Sequence, residues 1–372
     1  MGAQTVPVRD SEYYISEGNT TIRVEGTLFK VHRYILARDG SAFENMFSLD
    51  AHVPSFSDSS REGCSDENPI VLHGDTPDEF RALCWSLYAL PAEVFQMPST
   101  QSDVIRLIHL ARISHKYTFR STESWALHVL TVCQTSADPS STDSISASIT
   151  TTPILTQLTE VAVLCNNEEL HEAVEPIWAD LLFTGQTDDI VAAMTVADKL
   201  NLRPLLGLAY YLMMLKGKDE WNWNGPHKLT RDQRIKLLSG YYNISRACDA
   251  LPSNPPTLVH HPSCYMPPGV GVQGTAAHTS HVRCGEAWSS LWSGLTLRML
   301  NDGGSALKIQ SVDLLRKLHL INHLLESLLN GNEDSAMFGS ANMNKNCLRN
   351  GLKASEDKVN DVLYGLADCF VE

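Results

Sequence analysis

The sequence predicts an α+β fold, in which a short sheet with helices at the N-terminal end is followed by a mostly α-helical C-terminal region. Near the N-terminus, residues 22–25 and 28–31 alternate apolar and polar side chains on either side of a glycine, as in a β-hairpin. From about residue 76 onward, apolar residues recur every three or four positions, which is the period of an amphipathic helix. The 372 residues, 43% of them hydrophobic, are enough for two to three domains of roughly 150 residues each.

Short helices are predicted between the hairpin and the next strand. The first carries Ile35 and Leu36 toward the core. Ser41 and Glu44 then form a capping box, which starts the second helix. Residues 50–68 are rich in Ser, Asp and Glu and are typical of an exposed loop.

A brief strand at residues 70–72 precedes a strong helix start. Thr76-Pro77-Asp78-Glu79 supplies an N-cap residue, a proline at the first helical position and an acid three residues after the cap. The apolar side of this helix consists of Phe80, Leu83, Cys84, Leu87 and Tyr88. Two more helices are predicted, around residues 105–111 and 125–132.

A longer motif runs through this N-terminal region. Residues 29–38, with Ser41-Ala42-Phe43 and Met46-Phe47, resemble the signature F-x-V/A-H-R/K-x-x-L-A-x-x-S-x-x-F-x-x-M-F of BTB/POZ domains. Residues 70–88 resemble the second half of that signature, and the match spans residues 10–134 with the same order of elements. The matching residues are Phe29, Val31, His32, Arg33, Leu36, Ala37, Ser41, Phe43, Met46, Phe47, Leu72, Phe80, Leu87 and Tyr88.

The sequence departs from the BTB/POZ pattern in two places. Asn19-Thr20-Thr21 stands where many members carry an acidic residue before the first strand. Asp39-Gly40 interrupts the usual spacing before the signature serine. The first departure bears on the charged pocket that some members use for co-repressor peptides.

The resemblance implies a protein–protein interaction module and not an enzyme. By this resemblance, the N-terminal domain forms homodimers or binds other proteins, as BTB domains do in substrate adaptors of cullin-type ubiquitin ligases. The alternative is a transcriptional regulator that acts through partners, because the chain has no zinc finger or basic helix of its own. Neither catalytic residues nor a cofactor are predicted.

By composition, the chain divides into five regions. Residues 10–134 form the BTB-like domain, and 135–153 are a Ser/Thr-rich linker, for which a phosphorylated hinge is the alternative. A helical region at 154–250, a Pro/Gly/His-rich loop at 251–285 and C-terminal helices at 286–372 follow. This helical half is similar to that of a large fungal group of BTB proteins.

Composition argues against several classes of function. Lys and Arg number 29 against 43 Asp and Glu, a net charge of −14 with no basic run, so direct nucleic-acid binding is not expected. The longest apolar stretch, residues 205–215, has 11 residues against roughly 20 for a membrane span. Charged residues at positions 9, 10 and 12 interrupt any signal-peptide core, and nine cysteines without a CxxC pair favour reduced thiols. A cytoplasmic or nuclear protein is therefore expected.

Two segments match catalytic or cofactor motifs in sequence but not in their predicted structural context. Residues 269–274 read GxGxxG, but no strand precedes them and no amphipathic helix follows, so a dinucleotide site is not predicted. His171-Glu172 begins like a metalloprotease helix but lacks the second histidine.

A cluster of histidines and cysteines in the Pro/Gly-rich loop is the candidate metal site. His261-x-x-Cys264 and His281-x-x-Cys284 would supply two ligand pairs separated by a spacer, the arrangement that zinc commonly takes. The alternative is simple packing, since Cys284 precedes Trp288 and Trp292 at helical spacing. A zinc-dependent hydrolase built on this cluster is the third functional hypothesis, after the adaptor and the regulator.

Overall fold

The computed structural model describes residues 6–51, 62–94, 98, 100–135, 151–184, 186–221, 229–264, 276–301, 310–331 and 343–371. The chain folds into two compact units, Met1–Asp180 and Leu181–Glu372. The fold is α+β, as predicted: the strands lie in the first unit, and helices make up most of both.

The first unit contains a four-stranded sheet in the order β1-β3-β2-β4. The strands are β1 (Val8–Tyr14), β2 (Thr20–Val24), β3 (Thr27–Val31) and β4 (Ile70–Leu72). Strands β2 and β3 form the predicted antiparallel hairpin, and β4 pairs parallel with β2. Because apolar side chains alternate along both hairpin strands, Ile22, Val24, Phe29 and Val31 are fully buried.

Strand β1 is the element that the sequence analysis did not predict. It pairs parallel with β3 at the edge of the sheet, with an irregularity between Arg9 and Tyr14. Its sequence VRDSEYY has no apolar alternation, and its one buried side chain is the acid Asp10. The strand is therefore held by polar contacts from distant residues, which a local pattern does not reveal.

Eight helices of the described residues begin in the first unit. They are α1 (Arg33–Leu36), α2 (Ala42–Ala51), α3 (Pro77–Tyr88), α4 (Pro91–Val94), α5 (Gln101–Lys116), α6 (Arg120–Thr135), α7 (Thr152–Leu164) and α8 (Glu168–Thr184). The capping box predicted at Thr76 is present: the Thr76 hydroxyl accepts from the Glu79 N–H, and the Glu79 carboxylate accepts from the Thr76 N–H at 2.8 Å.

The first unit extends beyond the boundary predicted at residues 135–153. Most of the predicted linker lies outside the described residues, but α7 begins at Thr152 and packs on α5. Arg112 of α5 donates to Glu160 of α7 at 3.1 Å, and the Trp178 indole of α8 donates to the Thr159 hydroxyl at 2.9 Å. The described helices of residues 152–180 thus complete this unit.

The second unit is helical in the residues that the structure describes. Its helices are α9 (Thr187–Leu200), α10 (Arg203–Lys216), α11 (Lys218–Trp221), α12 (Arg231–Ala250), α13 (Ala276–Asn301), α14 (Leu314–Asn330) and α15 (Lys345–Phe370). Helix α15 crosses α10 closely at Gly207, where an added Cβ would lie 2.6 Å from the Ala367 nitrogen. Helix α14 has an apolar seam, in which Leu318, Ile321 and Leu325 are fully buried.

The loop predicted at 251–285 contains more regular structure than expected. It contains short 3₁₀ turns at Leu251–Ser253 and Pro262–Cys264, and α13 already begins at Ala276. The pair Ala276-Ala277 favours a helix, whereas the Pro and Gly residues before it favour a loop. The glycine motif at 269–274 lies outside the described residues.

Candidate functional site

The residues of the BTB-like signature mainly build the interior of the first unit. Phe29 of β3 and Phe80 of α3 meet edge to face with ring centroids 4.8 Å apart, and Phe43 stacks on Tyr117 at 4.8 Å. These contacts join the sheet to α3 and α2 to the end of α5. The buried signature residues are Phe29, Val31, Leu36, Ser41, Phe43, Phe47, Leu72 and Phe80.

The other signature residues are partly exposed. They are His32, Arg33, Ala37, Met46, Leu87 and Tyr88. The Tyr88 hydroxyl accepts from the His32 backbone N–H at 2.9 Å and lies 2.9 Å from His32 Nδ1, to which it can donate. Arg33 donates to the Phe47 carbonyl at 2.9 Å and covers the Phe47 ring at 4.2 Å. The polar members of the signature thus fix the start of α1 against α3 and α2.

Around the His32–Tyr88 pair, four rings form a continuous surface, which we call the aromatic patch: Tyr13, His32, Tyr34 and Tyr88. Neighbouring ring centroids lie 5.8 Å (His32–Tyr34), 5.9 Å (His32–Tyr88) and 6.3 Å (Tyr13–Tyr88) apart. Tyr34 is 60% exposed, and Leu90, two residues after Tyr88, is 67% exposed. Exposed aromatic and apolar side chains in one place are typical of protein-binding surfaces.

The aromatic patch is uncharged or basic along α1. Residues 32–38 contain two arginines and no acid, and the Arg38 guanidinium lies over the Tyr34 ring at 5.6 Å. Burial, with the nearby Glu12 carboxylate, raises the pKa of Tyr13 to about 12, so this phenol stays neutral at physiological pH. Helix α1 therefore carries no acidic residue, in a chain whose net charge is −14.

A second candidate site lies in the second unit, which we call the Cys₃His cluster: His260, Cys264, Cys284 and Cys347. Their potential ligand atoms all lie within 4.8 Å of one another, and Cys347 Sγ is 3.9 Å from His260 Nδ1. Three segments supply them: His260 lies just before a 3₁₀ turn that ends at Cys264, Cys284 lies in α13, and Cys347 lies in the first turn of α15. The three cysteines are buried, with Leu258 and Met343 packed against them.

Burial dominates the electrostatics of the Cys₃His cluster. It raises the pKa of the Cys284 thiol and raises the pKa of Cys347 to about 12, while the His261 backbone N–H, 3.2 Å from Cys347 Sγ, opposes the rise at Cys347. These thiols therefore keep their protons at neutral pH unless a cation displaces them.

The Cys₃His cluster shares two members with the ligands predicted from the sequence, Cys264 and Cys284. His260 stands where we predicted its neighbour His261, whose backbone donates to the cluster instead. The side chain of His281, the fourth predicted ligand, lies outside the described residues. Cys347 was missed because it lies 63 residues beyond Cys284, and no local spacing connects the two.

Two other groups of polar side chains come together among the described residues. His115, Glu123 and Cys165 converge in the first unit, but His115 Nδ1 and the Glu123 carboxylate already pair at 2.8 Å. A groove between α14 and α15, with a volume near 360 Å³, is lined by His319, His323, Glu326 and Glu356 among others. Its ligand atoms do not converge as those of the Cys₃His cluster do, in the part of the chain that the structure describes.

Comparisons with protein-family models, with curated proteins and with solved structures found no match to this chain. Among the described helices, none combines the length and the apolar character needed to cross a membrane.

Proposed function

We propose that this chain is a protein–protein interaction protein whose first unit contains a BTB/POZ-like domain and binds a second copy of the chain through the aromatic patch. The observation that carries the proposal is the patch itself, in which three tyrosines and a histidine meet at a partly exposed surface.

The order of elements supports the BTB-like assignment. Hairpin, two short helices, strand and then α3, α5 and α6 follow one another along the chain in the order that the resemblance implies. The signature residues also occupy positions that explain why a fold would need them, as core residues or as the His32–Tyr88 and Arg33–Phe47 connections.

Aromatic side chains supply the binding energy in this proposal. A tyrosine offers a large contact area and loses little rotamer freedom on binding. Truncating a centrally placed aromatic residue to alanine often costs about 2 kcal/mol of binding free energy. Tyr34 is the most exposed member of the patch, and Leu90, two residues after Tyr88 in the sequence, is an exposed apolar side chain.

Charge supports a second copy as the partner. Two chains of net charge −14 repel each other, so self-association is favoured where acids are few. Residues 32–38 contain none, although the patch has Glu12 near Tyr13 and Glu17 near His32. The pair Tyr34 and Arg38 is also self-complementary, because each arginine can lie over the tyrosine ring of the other copy.

The edge of the sheet formed by β1 is a weaker interface than the aromatic patch. Asp10 Oδ1 accepts from the backbone N–H groups of Glu12 and Tyr13 at 3.1 and 3.0 Å, so these donors of β1 are engaged within the chain. A bulged edge with internally satisfied donors pairs poorly with another strand.

The first prediction is that the full chain forms dimers that Tyr34→Ala weakens. We expect the substitution to raise the dimer dissociation constant about tenfold or more, measured by sedimentation velocity over a range of concentrations. Tyr242→Ala is the matched control: Tyr242 is 61% exposed against 60% for Tyr34, and its ring also has an arginine at 5.6 Å, Arg246.

Three outcomes separate the possibilities. A chain that stays monomeric at every concentration refutes self-association. Equal weakening by Tyr34→Ala and Tyr242→Ala shows that the aromatic patch is not the interface. A monomer that binds the N-terminal region of a cullin, and loses that binding with Tyr34→Ala, assigns the patch to a cullin instead of a second copy.

A further inference from the structure

We propose that the Cys₃His cluster is a structural zinc site that fastens the segment 254–264 to helices α13 and α15. The inference stands on the geometry, burial and chemistry of the four side chains, and it is independent of the function proposed for the first unit.

The spacing of the ligand atoms fits a single metal ion. With Zn–S distances of about 2.3 Å and Zn–N distances of about 2.0 Å, tetrahedral coordination places the ligand atoms about 3.5–3.8 Å apart. The 3.9 Å between Cys347 Sγ and His260 Nδ1 is close to this, and no pair of the four atoms exceeds 4.8 Å. Small side-chain rotations would complete the site, whereas a two-iron cluster would spread its ligands further.

The donor set selects zinc and a structural role. Three thiolates and one imidazole form one of the usual closed zinc sites, in which the protein fills all four tetrahedral positions. A catalytic zinc keeps one position for water, which this ligand set does not leave. The hydrolase hypothesis is therefore not the one that this geometry favours.

Packing alone explains the Cys₃His cluster less well. Buried cysteines often serve as small apolar side chains. Here, however, an imidazole nitrogen completes the group, and the backbone N–H of His261 donates to Cys347 Sγ, as outer hydrogen bonds do at metal-bound thiolates. Leu258 and Met343 surround the thiols with apolar atoms, which would shield a metal–sulfur bond from water.

The segment 254–264 shows what a metal would add. Residues 254–261 have no helix or strand. Hydrogen bonds attach them to the helices: Trp288 Nε1 donates to the Pro256 carbonyl and Asn350 Nδ2 to the Val259 carbonyl, both at 2.8 Å, and the His261 N–H donates to Cys347 Sγ. Two metal ligands from this segment, one from α13 and one from α15 would connect all three pieces at one point. Metal binding of this kind contributes directly to folding stability.

The second prediction is that the full chain, purified without a metal-binding tag, contains one zinc ion per chain by elemental analysis. Cys347→Ser should reduce the zinc content at least tenfold. Cys248→Ser is the matched control, since Cys248 is 2% exposed in α12 of the same unit and lies outside the Cys₃His cluster, and it should keep its zinc.

A further variant protects the test against simple misfolding. His260→Cys replaces the imidazole by a fourth thiolate, and because zinc accepts four cysteines, this variant should retain the metal while His260→Ala loses it. In the wild-type chain, Co²⁺ exchanged for zinc should show thiolate-to-cobalt absorption and tetrahedral visible bands, which Cys347→Ser should abolish.

The contrary results are equally definite. Wild-type protein without zinc, zinc content that Cys347→Ser leaves unchanged, or a mass loss of about 2 Da from a disulfide within the cluster would each overturn the zinc site. Iron with visible absorption in the purified protein would overturn the choice of metal.

Discussion

Among single residues, Gly240 determines how closely two helices of the second unit approach. A Cβ at this position of α12 would lie 2.0 Å from Cε1 and 2.1 Å from Cδ1 of Phe370 in α15. Phe370 is fully buried, so its ring has little space into which to move. The missing side chain at residue 240 is therefore a requirement of the packing.

The third prediction concerns this contact. Gly240→Ala should lower the free energy of unfolding by about 1–3 kcal/mol, because the added methyl group overpacks the core. Gly294→Ala is the control: it lies within α13 with nothing within 4 Å of an added Cβ, and it should raise stability by about 0.5–1 kcal/mol through helix propensity. Urea unfolding measures both, and a similar effect at the two positions would contradict the packing argument.

The sequence pattern predicted core residues better than it predicted contacts at this scale. The spacing of apolar residues placed Phe80 and Leu83 in the interior, because burial follows helical period. Nothing in the pattern shows that Gly240 meets Phe370, since the two are 130 residues apart and their contact depends on how α12 and α15 cross.

Among the elements, β1 is held in place by polar anchors at several points. The fully buried carboxylate of Asp10 accepts from the Arg81 guanidinium of α3 at 2.7 Å. Tyr14 donates to Asp66 at 2.7 Å, and Arg9 pairs with the same carboxylate. The hydrogen bonds to Tyr14 and Arg9 lower the pKa of Asp66, against the effect of its partial burial.

The fourth prediction is that Asp10→Ala releases β1 from the sheet. Removing this buried acceptor leaves two backbone N–H groups without their partner, which costs about 2–3 kcal/mol. Hydrogen–deuterium exchange of residues 8–14 should speed up about tenfold or more. Asp78→Ala is the control, because Asp78 pairs with the same Arg81 but its side chain is 69% exposed, so it should cost less than about 1 kcal/mol. Unchanged exchange in Asp10→Ala would show that the ladder with β3 suffices.

The difference between β1 and the hairpin shows which secondary-structure elements can be predicted from local sequence patterns. The hairpin carries its apolar alternation in its own residues, and α3 carries its own N-cap, so both were predictable. The stability of β1 comes from Arg81 and Asp66, which lie more than 50 residues away. Local patterns do not encode such partners.

At the scale of the whole molecule, the first unit requires more of the chain than its motif covers. The signature ends near residue 88 and the predicted domain at 134, yet α7 packs on α5 with Ile154, Leu155 and Leu158 buried. Arg112 reaches both Glu160 of α7 and Glu79 of α3, at 3.1 and 3.8 Å.

The fifth prediction compares two fragments. Residues 1–184 should melt cooperatively, whereas residues 1–134 should melt at least about 5 °C lower, because removing α7 exposes apolar surface of α5. Differential scanning calorimetry measures both transitions. Equal melting temperatures would show that the shorter domain is complete without α7.

The candidate metal site could be predicted only in part, because the tertiary fold brings one of its four residues to the others. Cys264 and Cys284 were found because they lie near other histidines in one loop-like region. Cys347 joins them only because α15 begins beside the 3₁₀ turn, and the end of one helix cannot be placed against another from spacing alone.

The position of Tyr34 within the BTB-like pattern separates an exposed side chain from its buried neighbours. In the pattern F-x-V-H-R-x-x-L-A, residue 34 is one of the open positions, and its side chain points out while its neighbours Leu36 and Phe29 are buried. In the proposed dimer, the same short motif therefore supplies a contact side chain at residue 34 and core side chains at residues 29 and 36.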